Sequence, residues 1–360
     1  MRQHFDSVTY ALGNVEIAAQ MEQVCPLLVF SEEACAFLSV LSARILKDAE
    51  AKAFPDVMTL GFWCRPAALR QMQRVYEAEK NRIGRGIVFH IAPSNVAVNF
   101  AYSCLAAFLA GNASVVRLPS KDFPQVDVLC RIFAQTLAEF PALFPYFLFV
   151  RYGHVQDVTE HYSRLANTRV IWGGDATIEA IRRAPLAPRA NEITFADRHS
   201  LAVLDADAYL AAADKARIAQ DFYNDTYLSD QNACTAPHFV IWLGTAVAAA
   251  QEVFWNALHE VVGARYTMQA VQAVDKLTQL YRLGACFEVR QVPAEDNLIT
   301  RVRVAKLTEE MTAYRAGSGF FIEYRAQELA EIRPLCGISC QTLSYYGVQR
   351  DALLQEILAM

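Results

Sequence analysis

Nine cysteines are spread over 360 residues, and the surroundings of one of them differ from the rest. Cys234 lies in DFYNDTYLSDQNACTAPH, after Asp-Gln-Asn and before Thr-Ala-Pro, a polar and turn-forming setting open to substrate. Cys104 (AYSCLAAFL) and Cys130 (VDVLCRIF) sit where a small apolar residue would serve, and Cys286 sits where a strand is expected to start. A thiolate exposed at a turn can attack a carbonyl and hold the acyl group as a thioester. His238, four residues further on, could activate that thiol or relay a proton. It could equally open the strand HFVIWL with its ring packed inward, since Pro237 keeps the chain extended there. Cys336 and Cys340 lack a second pair of ligands at zinc spacing, so no metal site is expected.

Three further segments could hold a ligand. In HIAPSNVAVNF a strand ends in Pro93, Ser94 and Asn95 before a helix, where free backbone N–H groups face the crevice of a parallel sheet; Asn95 could also be a simple helix cap. In IWGGDATIEAIRR, Trp172 ends a strand, and Gly173 and Gly174 would let a pyrophosphate approach a helix start. Asp175 works against that reading, and a tight turn with an Asp cap explains the same residues. In VVRLPSKD, Arg117, Ser120 and Lys121 follow a strand; two cations and a hydroxyl suit the ribose 2'-phosphate of NADP, as they would suit a solvated loop.

The elements that must position these residues read as alternating strands and helices. Strands are expected at GIVFHI, SVVRL, FLFV, RVIW and LAVL, with helices at 99–110, 122–139, 155–165 and from 175. Such alternation implies a parallel sheet covered on both faces. Residues 1–83 are expected to form a mainly helical region, including PAALRQMQRVYEAEK, packing on a dinucleotide-binding lobe at 84–206. A second α/β lobe at 207–360 carries Cys234 and the strands HFVIWL, CFEVRQV and LITRVRVAK.

Composition fits a large folded enzyme: 54% hydrophobic, 20% charged, and long enough for two lobes with a ligand cleft between them. A net charge of -5 leaves no basic footprint for nucleic acid. Unpaired cysteine spacing and an amino terminus without a signal-like core place the chain in the cytoplasm. Residues 86–116 lack Lys, Arg, Asp and Glu, yet Pro93, Asn95, Asn99, Gly111 and Asn112 interrupt them, so strand, turn, helix and strand are expected rather than a membrane span.

Taken in order, GRGIVFHIAPSNVAVNFAYS, LAGNASVVRLPSK, VIWGGDATI, FADRHS and FYNDTYLSDQNAC resemble the acyl-CoA reductases of the LuxC family, the fatty-acid reductases of bacterial luminescence, which are related to aldehyde dehydrogenases. The resemblance covers roughly residues 80–345. It implies an aldehyde-dehydrogenase-like α/β fold, with a Rossmann-type parallel lobe and a second α/β catalytic lobe. It further implies that Cys234 accepts the acyl group and that the Asn95 amide, with a backbone N–H near Cys234, stabilises the oxyanion. Pro93, Ser94, Trp172, Gly173 and Gly174 would line the cofactor, with Arg117, Ser120 and Lys121 at the adenosine ribose, in keeping with NADPH.

The implied reaction reduces an acyl-CoA, or an acyl group on a carrying protein, to an aldehyde. An acyltransferase, an acyl-protein synthetase or a second copy of the chain is the expected partner. Aldehyde dehydrogenases that make free acids carry a glutamate base in a Glu-Leu-Gly-Gly-like stretch; here it reads Phe195, Ala196, Asp197, Arg198, with Glu192 three residues early. The glutamate that holds the nicotinamide ribose in that fold has no clean counterpart, Glu331 being the nearest. The chain ends 14 residues after Tyr346, where fuller members continue, so part of the substrate wall or a subunit contact is expected to be missing. Aldehyde oxidation to acids, and a degenerate acyl- or nucleotide-binding homologue, stay open as alternatives.

Overall fold

A computed structural model describes residues 8–79 and 81–359. The first seven residues of the expected helical region and Lys80, at the end of its last expected helix, lie outside the described residues. The chain divides into two compact units, Met1–Ala196 and Asp197–Met360.

The first unit opens with β1 (Thr9–Leu12), α1 (Val15–Met21), α2 (Glu32–Lys47), α3 (Pro55–Trp63) and α4 (Pro66–Val75). Ser31 starts α2 by accepting from the N–H of Ala34, and Glu32, Glu33, Arg44 and Lys47 fall at the ends that suit the helix dipole. Two expectations for this region change. Thr9–Leu12 is a strand, because it adds to a sheet edge far along the chain, a pairing no local pattern announces. Helix α4 ends at Val75 instead of running through the charged EAEK; Val75 and Tyr76 are exposed, and Glu77–Glu79 form a separate short 3-10 turn.

Next come β2 (Ile87–Ile91), α5 (Asn99–Leu109), β3 (Ala113–Arg117), α6 (Pro124–Leu137), β4 (Phe147–Arg151), α7 (Gln156–Leu165), β5 (Thr168–Trp172), α8 (Asp175–Arg182) and β6 (Asn191–Phe195). The last of these strands was not expected from the sequence. The sheet order is β1-β4-β3-β2-β5-β6, parallel throughout except for β1, which runs antiparallel to β4. Strands β2, β3 and β4 step one way and β5 and β6 the other, so the order reverses between β2 and β5. Every residue of β2 is buried, as a central parallel strand requires. One side of the core is aromatic: Phe37 of α2 stacks on Phe147 at 5.1 Å and meets Phe133 of α6 at 6.1 Å. Gly111 closes α5 at φ +85°, where a Cβ would meet the carbonyl of Leu27 at 2.0 Å.

The second unit contains β7 (His199–Asp205), α9 (Ala206–Ala211), α10 (Lys215–Thr226), β8 (Pro237–Leu243), α11 (Val247–Arg265), α12 (Ala270–Cys286), β9 (Val289–Gln291), β10 (Thr300–Val304), β11 (Phe320–Arg325), β12 (Cys340–Tyr346) and α13 (Arg350–Leu358). Its sheet order is β12-β7-β8-β11-β10-β9, with β9 antiparallel to β10 and the other pairs parallel. The strand LAVL therefore joins the second sheet, and the division falls at 196/197 rather than 206/207. A strand's own residues show that it is buried on both faces but not which sheet it enters. Cys286 ends helix α12 and is exposed; it does not begin a strand. Among the described residues no helix is long and apolar enough to cross a membrane, and no cluster of His, Cys, Asp and Glu is arranged to hold a metal ion.

Candidate active site

In an open parallel sheet the crevice lies beyond the carboxyl ends of the strands, where the strand order reverses. Here that point falls between β2 and β5, and the segments leaving them are Pro93-Ser94-Asn95 and Gly173-Gly174. Ser94 and Asn95 are exposed, and α5 begins only at Asn99 with Val98 at its cap position and no side-chain cap bond. Asn95 is thus not the cap of that helix.

The neighbouring loop after β3 joins the same edge, for Ser94 Oγ and Ser120 Oγ lie 2.8 Å apart. Arg117 and Lys121 behave differently there. The Arg117 guanidinium donates to the carbonyls of Tyr152 (3.4 Å) and Gly153 (3.2 Å) and lies over the Tyr152 ring. Lys121 is exposed, its ammonium 5.1 Å from the centre of the Phe123 ring.

Trp172 stacks flat on Phe195, centroids 3.7 Å apart and planes 6° apart, and donates through Nε1 to Ser103 Oγ at 3.2 Å. Ser103 in turn meets Nδ1 of His90 at 2.8 Å; burial pulls His90 down to about 3, so it stays a neutral link. Gly174, not Asp175, occupies the cap position of α8; Asp175 is the first helical residue. A Cβ on Gly174 would meet nothing within 4 Å, so its backbone faces open space at a helix start.

In the second unit the chain leaves α10 through a short helical turn at Tyr227–Ser229 and enters two consecutive left-handed residues, Asp230 (φ 52°) and Gln231 (φ 60°). Neither is glycine, so the conformation is held by contacts. The Asp230 carbonyl accepts from Ser318 N at 2.8 Å and its carboxylate from the Tyr266 hydroxyl at 2.6 Å. The buried Gln231 amide donates to the carbonyls of Pro237 (2.8 Å) and Phe320 (3.0 Å) and accepts from the N–H groups of Gly319 (3.0 Å) and Phe320 (3.1 Å). Three residues later Cys234 is exposed, its own carbonyl taken by the buried Ser200 hydroxyl at 2.6 Å. Among the described residues nothing accepts from the N–H of Cys234 or Thr235.

Cys64, Cys104 and Cys130 are buried, and burial pushes each thiol up to about 12. Cys25 and Cys286 are exposed like Cys234; the Cys25 carbonyl accepts from the Tyr146 hydroxyl at 2.7 Å, and Cys286 ends helix α12 with its sulfur 3.3 Å from the Tyr314 hydroxyl. His238 is buried on β8 with Nδ1 donating to the Ala316 carbonyl at 3.2 Å. Burial, assisted by the Arg315 charge, brings it down to about 3, so the ring is a neutral imidazole committed to the backbone.

The carboxylates of the stretch before β7 are also committed. Glu192 is paired with Arg169 and Arg182; burial raises it, but hydrogen bonds from the two guanidinium groups outweigh that and leave it below the usual range. Asp197 pairs with Arg315 at 2.6 Å. Glu331 accepts from the N–H groups of Gln327 and Glu328 as part of a capping box and from the Tyr324 hydroxyl. Sequence reasoning did not single out Ser200, Gln231 or the Phe195 stack. Gln231 sat in a segment already singled out, but its partners lie up to 89 residues away and leave no local signal.

A family model described as acyl-CoA reductase (LuxC) matches residues 30–272. A search of the curated proteins found no match. Among solved structures the chain is similar to an aldehyde dehydrogenase from Bartonella henselae, with a TM-score of 0.66 and 14% identity, covering 97% of this chain and 82% of that one. It is also similar to a P. syringae indole-3-acetaldehyde dehydrogenase variant in complex with NAD+, with a TM-score of 0.66 and 15% identity over 96% and 77% of the two chains. A variant of Thermus thermophilus 1-pyrroline-5-carboxylate dehydrogenase gives 0.64 and 16% over 96% and 75%. These likenesses show the aldehyde-dehydrogenase fold.

Proposed function

The chain belongs to the LuxC family of acyl-CoA reductases, and from that premise we propose that it takes an acyl group from an activated donor onto Cys234 and reduces the resulting thioester to an aldehyde with NADPH. The observation that carries this reading is the exposed Cys234 on a turn fixed by Ser200 and Gln231, with no acceptor among the described residues for its own N–H or that of Thr235. The donor is an acyl-CoA or an acyl group passed on by a carrying protein, an acyltransferase or a synthetase.

Cys234 attacks the acyl carbonyl as its thiolate, the donor's thiolate leaves and takes up the proton, and the acyl group stays on the sulfur. The N–H groups beside Cys234 would donate to the carbonyl oxygen as it becomes negative, each contributing on the order of 3 kcal/mol. When bound, the dinucleotide supplies the hydride. A proton and the return of the C–S electron pair to sulfur then release the aldehyde and regenerate Cys234.

Several features support a nicotinamide dinucleotide in the first unit. The strand order reverses at Ser94 and Gly174, the Gly174 backbone is open, Ser94 meets Ser120, and Lys121 is exposed at the same edge. There Pro93, Ser94, Trp172, Gly173 and Gly174 would line the dinucleotide, and Lys121 with Ser120 and Arg117 would receive the 2'-phosphate. His238 acts as a positioning residue that pins the start of β8 to Ala316, not as a base. The commitment of Glu192 and Asp197 to arginines favours reduction over hydrolysis, because neither is left to activate water.

Incubation with an acyl-CoA followed by intact mass spectrometry tests the reading. The parent should gain one acyl group, and Cys234→Ala should gain none while binding nucleotide normally. Equal acylation of the variant would overturn the assignment.

A further inference from the structure

Away from Cys234, the second unit concentrates arginine at the carboxyl edge of its sheet. Arg301 and Arg303 alternate on β10 and so share a face. Arg303 is in register with Arg290 of β9 on one side and with Glu323 of β11 on the other, and Arg325 follows two residues after Glu323. Like charges facing each other across strands repel unless something between them is negative.

Glu323 cannot serve them all. Its Oε1 accepts from Trp242 Nε1 (3.0 Å), Gln251 Nε2 (3.0 Å) and Trp255 Nε1 (2.7 Å), and its Oε2 is taken by Arg301 Nε at 2.8 Å. Arg303 and Arg325 both donate instead to one neutral oxygen, Oε1 of Gln251, at 3.1 and 2.9 Å. Among the described residues neither forms an ion pair with a carboxylate. Arg301 Nη2 and Arg303 Nε are buried with no acceptor among the described residues. Burial and the surrounding guanidinium groups pull Arg303 below its ordinary value in spite of Glu323.

A cavity of about 290 Å³ is lined by Gln251, Arg303, Glu323, Tyr324, Arg325 and Gln327; both Glu323 carboxylate oxygens are already taken by the four donors named above, while the two arginines are not matched by a carboxylate of their own. We propose that this cavity is a binding site for a phosphate group, carried by inorganic phosphate or by a phosphorylated small molecule. A phosphate offers the missing negative charge and several acceptor oxygens matched to the guanidinium fork. The volume suits a small ligand. The site is separate from the nucleophile: β8, β10 and β11 are parallel, Cys234 precedes β8, and the cavity lies past the ends of β10 and β11. The seven residues of β8 put about 20 Å between the two ends.

Titration calorimetry of the full chain with inorganic phosphate, at constant ionic strength balanced with chloride, tests this. Because phosphate could also enter the loop after β3, the titration is repeated in Arg117→Gln/Lys121→Gln. A saturable site is expected to persist in the double variant as in the parent, and to be weakened by about tenfold or more in Arg325→Gln, as loss of one charged contact predicts. Arg325 is exposed, so this variant keeps the buried network, and Arg303→Gln should weaken the site at least as much. Adenosine 3',5'-bisphosphate forms a second arm: tighter binding than phosphate, lost in Arg325→Gln, points to a nucleotide source, and equal binding points to free phosphate. No saturable uptake in the millimolar range, or a site indifferent to both arginine substitutions, overturns the proposal. Either result leaves acylation of Cys234 untouched, so the two readings fail independently.

Discussion

The Ser200 hydroxyl donates to the main-chain carbonyl of Cys234 at 2.6 Å while accepting the N–H of Thr342 at 3.1 Å. One buried oxygen therefore ties β7 and β12 to the turn that presents Cys234, the proposed nucleophile. Ser200→Ala leaves both backbone groups without that partner, at about 1–3 kcal/mol. The turn should loosen, and acyl turnover should fall by roughly ten- to a hundredfold, because a small displacement of a reacting atom is enough. Nucleotide affinity should not change. Single-turnover kinetics with an acyl-CoA, beside a nucleotide titration, measures the two effects separately.

Gln231 links the same turn to β8 and β11 through four hydrogen bonds. Gln231→Ala strands two carbonyls and two N–H groups in the core and should cost about 2–4 kcal/mol. Urea unfolding reads the loss. A midpoint equal to the parent's would mean that the strands, not the amide, hold the turn.

Cofactor choice should rest more on Lys121 than on Arg117. Arg117 is engaged with the carbonyls of Tyr152 and Gly153, whereas Lys121 is exposed with its ammonium 5.1 Å from the centre of the Phe123 ring. Lys121→Gln should raise the apparent constant for NADPH by about tenfold, with little change for NADH and a smaller effect at high salt. Arg117→Gln should disturb both cofactors alike by releasing the end of β4. A parent enzyme that already prefers NADH would make this an ordinary surface loop.

Acid should destabilise the fold through its buried imidazoles. His90 and His238 are held at about 3 in the folded chain, chiefly by burial. Unfolded, each binds a proton below about pH 6.5. Between those values the unfolded chain carries more protons, so the stabilising contribution is intact above pH 6.5 and is lost as the pH falls toward 3. The slope is about 1.4 kcal/mol per pH unit for each group. In His238→Gln, whose amide can still donate to Ala316, urea midpoints compared at pH 6.5 and 5 should fall less steeply than in the parent. An identical slope would show that His238 is not held neutral by the fold.

The amino-acid sequence alone determined the alternation of buried strands and helices from Ile87 to Trp172, the glycines at 173 and 174, and the unusual polar setting of Cys234. Each of these is a local property: a run of apolar residues, a missing side chain, a cluster of turn formers. The strand Thr9–Leu12, the entry of LAVL into the second sheet and the helical position of Cys286 depended on partners distant in sequence. The same holds for the site. Cys234 could be singled out, but the Ser200 and Gln231 bonds that fix it reach 34 and 89 residues along the chain. Arg117 and Lys121 look alike in the string VVRLPSKD, yet only packing against Tyr152 commits one and leaves the other exposed. His238 lies four residues from Cys234, but burial and the Ala316 carbonyl decide that its ring stays neutral, because the cost of charging an imidazole depends on what surrounds it and not on its place in the chain.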